Sequence, residues 1–237
     1  MSDTATRHAL WLLDLGHLDY ADAWALQHKL VERRVAREIP DTLLLLEHEP
    51  VITLGQRADP ANILASEEEL ERQGVSVVQV ERGGDVTYHG PGQLVGYPIV
   101  HLPSLGLGAS DYMHALEDGL ALALAEYGVA THRRDGVIGV WVGNNKIAAL
   151  GVRIRRGVTF HGFALNVAPN MAHWELIVPC GIRDGGVTSM AAELGYVPAM
   201  AEVRRCVSKG IARALGVDLE PHALTELNAL APAQPEL

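Results

Sequence analysis

Two side chains stand out for the chemistry their surroundings permit. Cys180 lies in IVPCGIRDGG, after a proline and before a glycine, where neither a helical nor a strand pattern continues. A loop-borne thiol beside flexible backbone is a candidate nucleophile; the competing reading is a buried loop cysteine. A free thiol titrates at about 8.5, so a nucleophilic cysteine needs a cation or a base beside it. Lys146 follows the turn Gly143-Asn144-Asn145 and opens an apolar run, IAALGV. A lysine in that position is either a strand end reaching back to water or a buried functional amine, and position alone favours the first. His89 and His161, each followed by glycine, are the other candidate bases.

A second feature is RGGDVTYHGPGQ, from Arg82 to Gln93, with four glycines around a guanidinium and an imidazole. Gly83 and Gly84 allow the backbone to approach a partner that a Cβ would block, and Tyr88 and His89 could wall a pocket. The segment is neither a GxxxxGK[ST] phosphate loop nor a GxGxxG fingerprint, so ATP and NAD have no motif behind them. The 11 histidines are scattered, without HExxH or a Cys-His cluster, which argues against a zinc enzyme. Cys206, the other cysteine, shares a helix face with Val203, Val207, Ile211 and Ala214 and reads as an inert core residue.

Composition bounds the rest. The 237 residues are 48% hydrophobic, enough for one sizeable core without disulfides or a structural metal. Two cysteines with no CxxC pattern fit a reducing cytoplasm. The N-terminal residues lack a signal-peptide pattern, and no apolar run approaches the roughly 20 residues that span a bilayer. A net charge of −10 disfavours a nucleic-acid binder. Basic clusters at Arg133-Arg134 and at Arg153, Arg155 and Arg156 are solvated surface or a local patch for an acidic protein.

The elements that must position these residues follow from periodicity. Strands are expected at 9–16, 42–50, 51–55, 76–81 and 93–100, with Pro98 marking the last as an edge strand or an irregular end. Antiparallel strands are expected at 137–143, 146–154 and 158–167. Helices are expected at 19–38 with Asp19 as N-cap, at 66–74 between Ser66 and Gly74, at 109–128, and from about Pro198 to Leu215. The pattern predicts one α+β domain, a mixed β-sheet flanked by helices, over residues 1–220, then a tail at 221–237 prone to fray.

Four blocks in order, RGGDVTYHGPGQ (82–93), KIAALGVRI (146–154), HGFALNV (161–167) and PCGIRDGGVTSM (179–190), resemble the lipoyl(octanoyl) transferase family. The lead-in LLLLEHEPVITLG (43–55) and the 34-residue spacing from Lys146 to Cys180 fit as well, and Trp174 stands where the family often has Phe. The resemblance covers roughly residues 10 to 215. It implies a fold like that of biotin and lipoate protein ligases and a Cys/Lys dyad, with Cys180 the acyl-thioester nucleophile and Lys146 lowering its pKa. It also implies acyl-substrate contacts at Arg82, Gly83, Gly84, Asp85, Val86, Thr87, Tyr88 and His89, at Ala149, Leu150 and Gly151, and at Gly162, Phe163 and Ala164. The implied donor is octanoyl-acyl carrier protein. The implied acceptors are lipoyl domains of 2-oxoacid dehydrogenase complexes and the glycine cleavage H protein. No metal, ATP or other cofactor is implied, since thioester to amide is downhill. The nearest alternative is an ATP-dependent lipoate-protein ligase. A non-catalytic acyl-binding protein and a cysteine hydrolase using His89 or His161 are further alternatives.

Overall fold

Leu43, Leu44, Leu45 and Leu46 run consecutively and all are buried. A strand presents successive side chains to opposite faces, so an unbroken leucine run needs cover on both sides. The computed structural model, which describes residues 8–179 and 185–230, supplies that cover. Strand β2 (Asp41–Glu47) lies inside a mixed sheet between β1 (Ala9–His17), to which it is parallel, and β6 (Gln93–Ile99), to which it is antiparallel. Leu43 and Leu45 face helices α3 (Ala109–Ala125) and α5 (Met200–Leu215), while Leu44 and Leu46 face α1 (Tyr20–Val35).

Beyond β6 the sheet continues antiparallel through β10 (Val158–Asn166), β9 (Asn145–Arg155), β8 (Val137–Val142) and β7 (His132–Arg134). The last three long strands form the expected hairpins. β12 (Asp218–Pro221) pairs parallel with β1 at the opposite edge. A second, three-stranded sheet orders β4 (Ser76–Gln79), β3 (Val51–Leu54) and β5 (Val86–His89). Helix α2 (Glu67–Gln73) begins where Ser66 Oγ accepts from Glu69 N and ends at Gly74, as its pattern predicts. Asp19 caps α1 through Ala21 N at 2.8 Å. The short helix α4 (Met190–Leu194) buries Met190, and Cys206 is buried on α5 among the core residues Val203, Val207 and Ile211. The result is a single mixed α+β domain. Among the described residues, no helix is long and apolar enough to cross a membrane.

Two expectations need correction. Pro98 sits in a central strand, paired with Leu43, so the edge-strand reading fails while the irregular-end reading holds. Its missing N–H is tolerated because the β6–β10 ladder stops at Gly96, and Thr159 Oγ1 bridges the gap by donating to Pro98 O at 2.7 Å. The start of the presumed fraying tail is tied down instead. Helix α6 (Leu224–Ala229) buries Leu227, and Arg33 Nη1 and Nη2 each donate at 3.0 Å to Leu227 O and Leu230 O. Residues 231–237 lie outside the described part.

Helices α3 and α5 pack closely enough that a Cβ on Gly210 would stand 2.2 Å from Gly119 O, a backbone atom that cannot move alone. Gly210→Ala should therefore destabilise the protein by about 1–3 kcal/mol through helix separation. Urea unfolding checks this: a lower midpoint at unchanged slope is expected, and an unchanged midpoint would refute the close contact.

Candidate active site

Lys146 opens β9, where its neighbours are fixed from both sides. Across one edge it pairs with Trp141 of β8; across the other, beyond the end of β10, it pairs with Val187 of a two-residue strand, β11 (Gly186–Val187). Its side chain is buried, with residue exposure of only 7%, and Nζ lies 5.0 Å from the Trp141 ring centroid. The strand-end reading is thereby overturned: the chain runs inward along the aromatic face, where a cation–π contact offsets part of its lost hydration. Arg134 lies 5.1 Å from the same ring.

Lys146 lines a cavity together with Trp141, Asn166, Trp174, Pro179 and Gly185. Cys180 lies outside the described residues, so its placement relative to Lys146 is not described. The residue preceding it, Pro179, and the first described residue after it, Gly185, both belong to this wall. Thr87 and Ala149 also line it, and they line a second cavity as well. The second cavity is walled by Arg82, Gly84, His89, Leu150, Gly151, Gly162, Phe163 and Ala164, all expected from the sequence. Tyr20, Tyr97 and His161 complete it. Strands β9 and β10 thus carry one end of the wall from Ala149↔Ala164 to Gly151↔Gly162, and the small sheet supplies the other through β5.

The alternation of β5 divides the RGGDVTYH block. Thr87 and His89 face the cavity. Val86 and Tyr88 face the opposite way, into a cluster with Ile52, Leu70 and Trp174, and Tyr88 OH meets His173 Nδ1 at 2.7 Å. Asp85 braces the preceding loop, accepting from Asp59 N at 3.0 Å and Asn62 Nδ2 at 2.6 Å. Gly83 donates its N–H to Val152 O at 3.0 Å. Asp85, Val86, Tyr88 and Gly83 therefore support the wall and are not among the described residues that form it. The glycines answer to the protein's own backbone: Gly84 has φ 91°, and its carbonyl oxygen lies 2.4 Å from where a Cβ on Gly55 would be.

Arg82 is buried and locked onto β3, with Nη2 donating at 2.6 Å to Thr53 O and Nε at 3.2 Å to Thr53 Oγ1. His89 Nδ1 is 2.8 Å from Gln93 Oε1, which makes Nδ1 the protonated nitrogen. Gln93 Nε2 donates onward at 3.0 Å to Asn166 Oδ1, and Asn166 Nδ2 donates at 3.0 Å to Thr188 O. Burial first, then the neighbouring His48 and Arg82 charges, push the His89 pKa down to about 3, and burial carries His48 down to about 4. His161 is likewise lowered, chiefly by burial, although Glu81 Oε2 lies 3.8 Å from its Nε2. These rings are neutral at physiological pH and weak as general bases. Among the described residues, Thr87 Oγ1, Trp141 Nε1 and Trp174 Nε1 are buried and find no hydrogen-bond partner, leaving polar groups of the cavity walls for a ligand to satisfy.

Residues 19–212 match the lipoyl protein ligase A/B catalytic domain. An octanoyltransferase from Chloroflexus aggregans is 53% identical over 197 residues, covering 82% of this chain and 89% of that protein. The chain belongs to the octanoyltransferase family. A second octanoyltransferase, from Syntrophobacter fumaroxidans, is 45% identical over 220 residues, covering 93% and 96%. A crystal structure of lipoate-protein ligase A bound with ATP superposes with a TM-score of 0.71 at 15% identity, over 93% of this chain and 90% of that one. That likeness shows a shared fold. Family membership makes the chain an acyltransferase of lipoyl and octanoyl transfer. Tyr20 and Tyr97 were not singled out in the sequence as site residues. Their signal was a phenol on a largely apolar helix face and another in a central strand.

Because His48 and His89 stay neutral in the fold but titrate near 6.5 when unfolded, the unfolded chain binds more protons below that pH. Stability is then whole above pH 6.5 and falls as pH drops toward 4 to 3, by about 2 kcal/mol per histidine at pH 5. Urea midpoints at pH 7 and pH 5 test the sign. A fall in the wild type that is smaller in His89→Gln is expected; equal falls would contradict it.

Proposed function

We propose that this chain transfers an octanoyl group from acyl carrier protein to a lysine of lipoyl domains, through an acyl thioester on Cys180. One observation carries the reading: the buried Lys146 shares its cavity with Pro179 and Gly185, which flank the cysteine segment, and that cavity meets the second through Thr87 and Ala149. A buried lysine thus stands in the wall that the residues on either side of the cysteine segment also line, next to a second cavity walled largely by glycine, leucine, phenylalanine and alanine.

In the first half-reaction the Cys180 thiolate attacks the thioester carbonyl of octanoyl-phosphopantetheine. The Lys146 ammonium favours the thiolate by proximity of charge. The carbon–sulfur bond to phosphopantetheine breaks, and the departing thiolate takes the proton of Lys146. In the second half-reaction the acceptor lysine, which must be neutral to attack, adds to the acyl-enzyme carbonyl. Neutral Lys146 accepts its proton, and Cys180 leaves as thiolate. Atoms and protons balance over the cycle without ATP or a metal. The acceptors in this reading are lipoyl domains of 2-oxoacid dehydrogenase complexes and the glycine cleavage H protein, and the compartment is the cytoplasm.

The hydrolase alternative needs a histidine base. It is disfavoured by His89, whose Nδ1–H is held by Gln93 and whose free nitrogen is hard to protonate. Arg155 and Arg156 both pair with Glu32, so the basic cluster is partly neutralised and is a weaker docking patch than its sequence suggests.

Intact mass after incubation with octanoyl-acyl carrier protein tests the reading. One octanoyl adduct mapped to Cys180, discharged by a lipoyl domain and absent in Cys180→Ser, is expected. Acylation of the domain only with ATP and free octanoate would replace the transferase reading with that of a ligase.

A further inference from the structure

The β9–β10 ladder also acts as a ruler. The Lys146 cavity and the second cavity share Ala149, and three residues farther along β9 Val152 pairs with His161. At ~3.3 Å per residue, that places His161 about 10 Å along the ladder from Ala149. An extended eight-carbon acyl chain spans about 9 Å from its carbonyl carbon to its methyl, given ~1.5 Å bonds in a zigzag. An acyl group with its carbonyl at the junction and its tail along the ladder would bring its terminal methyl to the level of His161.

His161 is built to stand still there. It lines the cavity with 2% exposure, and its φ of 55° is left-handed, a conformation that non-glycine residues rarely hold. Gln27, fully buried in the middle of the apolar face of α1, accepts from His161 N at 2.8 Å. The imidazole stacks on Phe160 with centroids 5.0 Å apart and meets the Tyr97 ring edge-on at 6.5 Å. Glu81 stands behind Nε2 at 3.8 Å, itself held by Trp24 Nε1 at 3.2 Å and His28 Nε2 at 2.7 Å. A ring boxed in on those sides cannot retreat to admit a longer chain. Local strain held by a buried glutamine marks a position whose geometry is enforced by its surroundings.

We propose that His161 is the end stop of the acyl cavity and the residue that determines chain length, an inference that rests on the acyl-transfer reading above. Its role is steric: the imidazole occupies the space that a ninth and tenth carbon would need.

The test loads acyl carrier protein with hexanoyl, octanoyl, decanoyl or dodecanoyl groups and measures the rate of covalent acylation by intact mass. His161→Ala opens the wall. His161→Asn is the companion variant, because asparagine tolerates left-handed backbone and carries the test if the alanine variant does not fold. The wild type should prefer octanoyl. Either variant should raise the decanoyl-to-octanoyl rate ratio by about 15-fold, the worth of two further buried methylenes. His161→Phe, which fills more of the chamber, should move the preference toward hexanoyl. A folded variant that accepts octanoyl with the wild-type chain-length ratio overturns the end-stop role while leaving acyl transfer standing. Failure of every donor to acylate the wild type overturns the acyl-transfer reading and this inference with it.

Discussion

A lysine side chain drawn out of water is expensive unless the surroundings give something back, and the site is organised around that constraint. Lys146 gets there because two strands meet its backbone from opposite sides. β8 brings the indole of Trp141 against Nζ, and β11 occupies the edge left open where β10 ends. Remove either strand and the lysine would be a flexible cation at a strand end. With both, its position in the cavity wall is fixed.

The two sheets divide the remaining work. The large sheet is rigid because both its faces are covered, by α3 and α5 on one side and α1 on the other. It contributes the ladder from Lys146 to His161. The small sheet contributes β5, whose alternation sends Thr87 and His89 to the cavity and Val86 and Tyr88 to its own core. Arg82 ties the small sheet's entering loop to Thr53, and the His89–Gln93–Asn166–Thr188 chain of hydrogen bonds ties β5 to β6, β10 and the segment after β11. That chain joins residues of both cavities and ends two residues from Gly186, so the two walls are held by one network.

Much of this was legible in the sequence, for identifiable reasons. Ser66 and Gly74 announced the ends of α2, and the turn before Lys146 announced the β8–β9 hairpin. The blocks around Arg82, Lys146 and Cys180 pointed to the family. What was not legible depends on contacts distant in sequence. Lysine 146 read as a surface strand end because nothing local says that Trp141 and β11 will enclose it. Pro98 read as an edge strand or an irregular end because the hydroxyl that donates to its carbonyl oxygen, where pairing to β10 has stopped, belongs to Thr159, 61 residues away. Tyr88 read as pocket wall because the face of β5 turned to the cavity is decided by the packing of Ile52 and Trp174. Gln27 sits buried on the inner face of α1 for a reason nothing local discloses, since its partner is the backbone N–H of His161, 134 residues away.

The central claim is that the charge of Lys146 acts on the thiol of Cys180. The most direct measurement is the pH dependence of Cys180 alkylation by iodoacetamide, followed by mass on wild type and Lys146→Met without substrate. The account predicts a wild-type thiol titrating well below the free value of about 8.5, and a return to 8.5 or above once the cation is gone. Identical profiles for the two proteins would contradict it and leave Lys146 a buried amine with no hold on the nucleophile.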